Sequence, residues 1–236
     1  MKTLKIMMRV ILLISIVLTF ATSTKAQLSV GLRGGVNFAH INYNDPVLKY
    51  RPKTAPGFAL LLNYAITPSL NIQLEPGIAQ WSAQMYNKQT TPGYISELTY
   101  RIYMNYIEVP VLIQYKPHFG KLQAIFSFGP EARFLAKPLK AKTKRIGYFG
   151  GLIIDQFDKV DVYKGDMGIN KFDIGLMAGA GIAYPLGPLH LFAEGRYHYG
   201  LTNIYGHMNN DNYKTYVRGI SAHTGVLIPV GKNKSK

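Results

Sequence analysis

The sequence predicts an all-β fold, an eight-stranded antiparallel up-and-down transmembrane β-barrel preceded by a cleaved signal peptide. Three observations predict it. The N-terminus has the layout of a secretory leader. Eight later segments alternate apolar with small or polar residues at period two. The connections between those segments alternate between short and long.

The leader comes first. Lys2, Lys5 and Arg9 form a basic start, Val10 to Phe20 is an eleven-residue apolar run interrupted by Ser15 and Thr19, and Thr24-Lys25-Ala26 sets small residues at positions −3 and −1 before Gln27. The run is shorter than the roughly 20 apolar residues a spanning helix needs. Residues 1–26 are therefore expected to be a signal peptide cut after Ala26, and 27–236 a single outer-membrane β-barrel domain. The sequence contains no cysteine, which excludes disulfides, thiolate metal sites, a cysteine nucleophile and a lipoprotein anchor. A chain that enters a membrane without a spanning helix must close into a barrel, because lipid offers no partner to backbone groups.

The strands follow from period two. In 28–38, Leu28, Val30, Leu32, Val36 and Phe38 oppose Ser29, Arg33 and Asn37. In 57–66, Phe58, Leu60, Leu62, Tyr64 and Ile66 share a face, and in 70–79 Leu70, Ile72, Leu74 and Ile78 oppose Asn71, Gln73 and Glu75. In 103–115, Tyr103, Ile107, Val109, Val111, Ile113 and Tyr115 oppose Tyr106, Glu108 and Gln114. In 122–134, Leu122, Phe126, Phe128 and Phe134 oppose Gln123, Ser127, Glu131 and Arg133. In 172–184 an apolar face opposes Asp173, Gly175, Gly179 and Gly181. In 189–201 it opposes His190, Glu194, Arg196 and His198, and in 218–228 Ser221 and His223.

The connections after strands two, four and six are short: Thr67 to Ser69, Pro117 to Gly120, and Pro185 to Pro188. Long loops are expected at about 40–55, 86–99, 136–170 and 202–216. Short turns on one side and long loops outside the cell is the outer-membrane arrangement. Tyr64, Tyr86, Tyr103, Tyr115, Tyr184, Tyr199 and Tyr216 near strand ends fit interfacial girdles. Pro76, Pro110 and Pro130 each remove a ladder donor, so bulges are expected there. A soluble barrel would carry Lys and Glu on its polar parity. This parity instead holds Gly, Ser, Asn and Gln with single charges, as suits a narrow, filled lumen.

Four of the 27 Lys and Arg residues lie in the leader, so 23 remain against 12 acids, a net +11. Export argues against nucleic acid as the partner. Outer-membrane lipid and lipopolysaccharide are the expected counterparts, with other envelope or secretion proteins as further ones. The run Lys137, Lys140, Lys142, Lys144, Arg145 opens the longest expected loop and could meet anionic headgroups or an acidic partner.

The inward parity carries Arg33, Glu75, Glu108, Glu131, Arg133, Asp173, Glu194 and Arg196. Eight strands leave an interior just wide enough for side chains, so these charges must pair or carry a desolvation cost of several kcal/mol each. They are expected to form a structural polar network. His190, Glu194 and His198 share a face at spacing four, about 13 Å per step on a strand, too far for one metal. Gly179-Ala180-Gly181 lacks the third glycine and helix of a dinucleotide loop. No serine nucleophile stands with a histidine and an acid in a recognisable sequence arrangement, although sequence-distant loop residues could assemble one, and no catalytic, cofactor or metal site is predicted.

The stretches VGLRGGVNF at 30–38, YIEVPVLIQYK at 106–116, FDIGLMAGAGIAY at 172–184 and EGRYHYGLTNI at 194–204 resemble the PorT-like outer-membrane β-barrel family of Bacteroidetes over nearly all of 27–230. The prolines at 76 and 110 belong to that pattern. The resemblance implies the fold and a Gram-negative outer-membrane location. The family's namesake is needed for type IX secretion, so the resemblance also implies a secretion-accessory role as an alternative to a structural or interaction protein. An enzyme in the barrel mouth acting on lipid or peptide is the third alternative.

Overall fold

The computed structural model describes residues 28–42, 50–163, 170–203 and 216–230. The leader and its cleavage site lie outside them. The strands are β1 (Leu28–Asn42), β2 (Tyr50–Ala65), β3 (Leu70–Leu74), β4 (Gly77–Thr91), β5 (Tyr94–Tyr115), β6 (His118–Phe119), β7 (Leu122–Phe149), β8 (Leu152–Tyr163), β9 (Phe172–Leu186), β10 (Leu189–Gly200) and β11 (Tyr216–Val230). β3 and β4 continue one another as a single stave. Antiparallel pairing then runs β1–β2–β3/β4–β5–β7–β9–β10–β11 and returns to β1, which closes eight staves.

Parity separates outside from inside. Leu32, Phe58, Ile78 and Phe126 are 57%, 59%, 62% and 52% exposed, whereas Gln73 and Ser127 are 1% and 5% exposed. An apolar band of this extent around every stave is stable only against hydrocarbon. The eight apolar faces read from the sequence all lie on the outside of the ring.

Two of the expected long loops are strands instead. Residues 86–99 form the upper β4–β5 hairpin, turned at Gly93 with φ 78°, and 136–163 form the β7–β8 hairpin, turned at Gly150 and Gly151 with φ 56° and 85°. β7 has 28 residues, about 90 Å of strand at roughly 3.3 Å per residue, against the 9–11 a tilted membrane strand needs. Its first part, from Gln123 to Phe134, pairs with β9 in the ring. Its last part, from Leu139 to Phe149, pairs with β8. The upper halves of β4, β5 and β7, together with β8, form a four-stranded sheet rising from one side of the ring. The basic run therefore lies on a strand, where Lys142 and Arg145 pair with Asp158 at 3.1 Å and Asp155 at 2.9 Å. Tyr86 and Tyr103, expected near strand ends, sit inside β4 and β5 for the same reason.

The prolines cause no bulge. Pro110 pairs with Glu131 and Pro130 with Leu176 in unbroken register, and β3 and β4 keep one register across Pro76. The carbonyls still serve: Pro110 O accepts from Glu75 N at 3.1 Å, and Pro76 O from Leu60 N at 3.0 Å. Each proline costs one donor without displacing its neighbours. The ring's register shifts fall instead between Lys53 and Gly57 and between Tyr103 and Asn105, the latter where the wall gives way to the outer sheet.

Candidate functional site

The site is the barrel interior. Arg33, Glu75, Glu108, Glu131, Arg133, Asp173, Glu194 and Arg196 are all buried within it, none more than 7% exposed. Antiparallel register brings them together from distant positions. Glu108 lies opposite Arg133, and Arg133 opposite Asp173, in one row across three staves. Glu194 lies opposite His223 and Arg196 opposite Ser221.

Glu75 is the hub. Its Oε2 accepts from Arg33 Nε at 2.6 Å and Arg196 Nη1 at 2.6 Å, and its Oε1 from Arg196 Nη2 at 2.7 Å and Gln73 Nε2 at 2.6 Å. Arg196 Nη2 also donates to Glu194 Oε2 at 2.7 Å, and Ser127 Oγ donates to the same carboxylate. Towards the periplasmic turns an amide cluster continues the chain. Asn63 Nδ2 donates to Gln73 Oε1 at 2.7 Å and Gln114 Oε1 at 3.0 Å, and Asn71 Nδ2 donates to Asn63 Oδ1 at 2.7 Å. Towards the outer rim, Arg133 Nη2 meets Asp173 Oδ2 at 2.7 Å and Arg133 Nε lies 3.7 Å from Glu131 Oε1. The eight charges comprise five carboxylates and three guanidiniums. Glu108, which has no guanidinium contact within 4.0 Å among the described residues, accepts instead from a neutral donor, Trp81 Nε1 to Glu108 Oε1 at 2.7 Å.

One relay joins the two charged halves. Arg33 Nη1 lies 3.1 Å from His223 Nδ1, His223 Nε2 3.0 Å from Ser221 Oγ, Ser221 Oγ 2.6 Å from His198 Nε2, and His198 Nδ1 3.0 Å from Glu131 Oε2. The guanidinium only donates and the carboxylate only accepts. With both imidazoles neutral, one order of donors satisfies every contact: Arg33 to His223, His223 to Ser221, Ser221 to His198, and His198 to Glu131.

Ring closure here brings a serine, a histidine and an acid together although no arrangement in the sequence announces them. Ser221, His198 and Glu131 have the connectivity of a hydrolase triad. Period-two faces of β7, β10 and β11 align them, a juxtaposition that closure of the ring creates and linear spacing conceals. A nucleophile must reach an acyl carbon, but Ser221 Oγ is bracketed by two imidazoles and the residue is 4% exposed. The three residues act here as hydrogen-bond links.

Two apolar clusters fill the remaining interior. One, around Trp81, Met104, Tyr106, Leu135 and Val217, packs on Arg133, whose guanidinium carbon lies 5.8 Å from the Trp81 ring. The other comprises Leu61, Ile125, Ala183, Phe192 and Leu227. Glycines make the space. A Cβ on Gly179 would stand 2.6 Å from Glu194 Oε1 and 2.7 Å from Ser127 Oγ, and one on Gly219 would stand 2.6 Å from Trp81. Trp81 was missed in the sequence, although it shares parity with Glu75 and Ala79. Of the three residues at spacing four, Glu194 joins Arg196, His198 joins Glu131, and His190 lines a separate cavity at the periplasmic mouth.

A family model described as outer membrane protein beta-barrel domain matches residues 20–206. Among solved structures, the chain is similar to Neisserial surface protein A, at 15% identity and TM-score 0.44, covering 88% of this chain and 100% of that one. It is also similar to a major outer membrane protein of Thermus thermophilus, at 13% identity and TM-score 0.47, covering 88% and 100%. A third is Ail of Yersinia pestis, solved with the heparin analogue sucrose octasulfate, at 12% identity and TM-score 0.37, covering 86% and 99%. No curated protein sequence matches the chain.

Proposed function

The chain belongs to the outer membrane protein beta-barrel domain family, and we propose that it serves there as a non-catalytic anchor whose outer sheet meets partners beyond the membrane. Its location is the outer membrane of a Gram-negative bacterium, and the apolar band meets lipid and lipopolysaccharide. The observation that carries the proposal is the division of labour along the staves. The ring is cross-tied by the Glu75-centred network, while β4, β5, β7 and β8 continue past it as a sheet with Phe149, Leu152 and Phe157 exposed. The eight interior charges are, in this reading, structural: they fix the ring so that the outer sheet is presented on a rigid base. The leader 1–26 directs export and is removed after Ala26.

The test is photo-crosslinking in intact cells from single sites at Phe157 and Phe126. Protein adducts from Phe157 and lipid adducts from Phe126 are expected. A Phe157 site that yields no protein adduct refutes the interaction role.

The stretches YIEVPVLIQYK and EGRYHYGLTNI favour a second reading, that of a PorT-like accessory of type IX secretion with periplasmic or inner-membrane partners. Stable co-purification of such subunits would distinguish it from the first. An enzyme acting on lipid or peptide would instead be revealed by turnover on a substrate panel.

A further inference from the structure

The periplasmic mouth of the barrel holds a cavity of about 750 Å³ whose charged lining, among the described residues, is basic. Lys116, Lys121, His118 and His190 stand on its wall with the amides Asn63 and Asn71, and among the described residues no carboxylate does. Elsewhere in the interior every buried guanidinium has a carboxylate within 4.0 Å. Lys116 breaks that rule. It is only 7% exposed, yet among the described residues its ammonium has no hydrogen bond or ion pair, and its backbone N–H is spent on Ser69 O at 2.7 Å. A long, flexible cation could extend into water past a strand end. This one instead lines the cavity within the mouth, where the carboxylates of Glu194 and Glu75 act on it through space but none contacts it directly.

The lining is drawn from several elements, so it is built by ring closure rather than by one basic run. His118 belongs to β6, Lys121 to the turn before β7, His190 to β10 and Asn63 to β2. His118 is itself oriented by a hydrogen bond to Gln123, another lining residue. Two lysines match a doubly charged anion, and imidazole and amide N–H groups stand beside them to complete its shell.

We propose that this mouth is a phosphate-binding site, open to the periplasm, in which Lys116 and Lys121 supply the charge and His190 and the Asn71 amide the directional contacts. The ligand chemistry is a phosphate dianion, either free or as a monoester headgroup. The site is independent of the anchoring role and of the outer sheet.

The test is calorimetric titration of the full mature chain, folded in a maltoside detergent at low ionic strength, with inorganic phosphate and separately with sn-glycerol 3-phosphate. Saturable binding of one equivalent is expected, weakened about tenfold or more by Lys116→Gln, since a charge-assisted contact in a confined site is lost. Equal affinity for the two probes identifies free phosphate as sufficient, and preference for the ester identifies a headgroup; either upholds the site. Lys121 is exposed, so Lys121→Gln keeps the fold and should weaken binding about threefold even if Lys116→Gln does not fold. Absence of saturable binding of both probes, or binding that both lysine substitutions leave unchanged, overturns the proposal.

Discussion

Replacing Glu75 by glutamine removes the charge on which two buried guanidiniums converge while preserving side-chain volume. The carboxylate accepts four hydrogen bonds between 2.6 and 2.7 Å, three of them from Arg33 and Arg196. The amide of glutamine keeps one acceptor oxygen and turns an NH2 donor towards guanidinium donors. Arg196 still has Glu194 at 2.7 Å. Arg33 is left with the ring nitrogen of His223 at 3.1 Å and no carboxylate among the described residues. One uncompensated buried charge costs about 3–5 kcal/mol. Urea unfolding of Glu75→Gln in lipid vesicles, followed by the mobility difference between folded and unfolded barrel on gels, reads that loss directly. Adding Arg33→Gln should recover part of it, because the two sites couple by about 0.5–3 kcal/mol. A loss below about 1 kcal/mol, the range of exposed ion pairs, would refute the claim that this network fixes the ring.

Gly179→Val places methyl groups where Glu194, Ser127 and Arg196 already stand, and should cost about 1–3 kcal/mol in the same unfolding assay. Single-channel recording in planar bilayers should show no stable porin-sized conductance, because the side chains of the Glu75 network and both apolar clusters occupy the lumen. N-terminal sequencing of the membrane form should begin at Gln27; a mature chain that keeps Val10 to Phe20 contradicts the leader.

The eight staves were legible because lipid and lumen impose opposite demands on alternate residues. Leu32 and Arg33, or Phe126 and Ser127, declare their sides without reference to any neighbour. The outer sheet was not legible for the converse reason. Beyond the lipid-facing band no apolar parity is required, so Lys140, Lys142 and Lys144 alternating with Ala141 and Thr143 look like a polar loop although they form a ladder with β8. The turn glycines at 93, 150 and 151 were the available signal. The interior charges could be enumerated from parity, but not their partners, since Ser221, His198 and Glu131 meet only when the ring closes. Lys116 escaped notice because it follows the last residue of β5, where alternation no longer indicates direction.

The central claim is that the apolar parity meets lipid and the polar parity fills the lumen. The native chain has no cysteine, so the variants Leu62→Cys, Phe126→Cys, Gln73→Cys and Ser127→Cys can each be challenged in membranes with lipid-soluble and water-soluble maleimides. Leu62 and Phe126 are 43% and 52% exposed on the outside of the ring, and Gln73 and Ser127 are buried inside it. The first pair should label with the lipid-soluble reagent and the second pair should be shielded from it. Lipid-soluble labelling at positions 73 and 127 with protection at 62 and 126 would contradict the account.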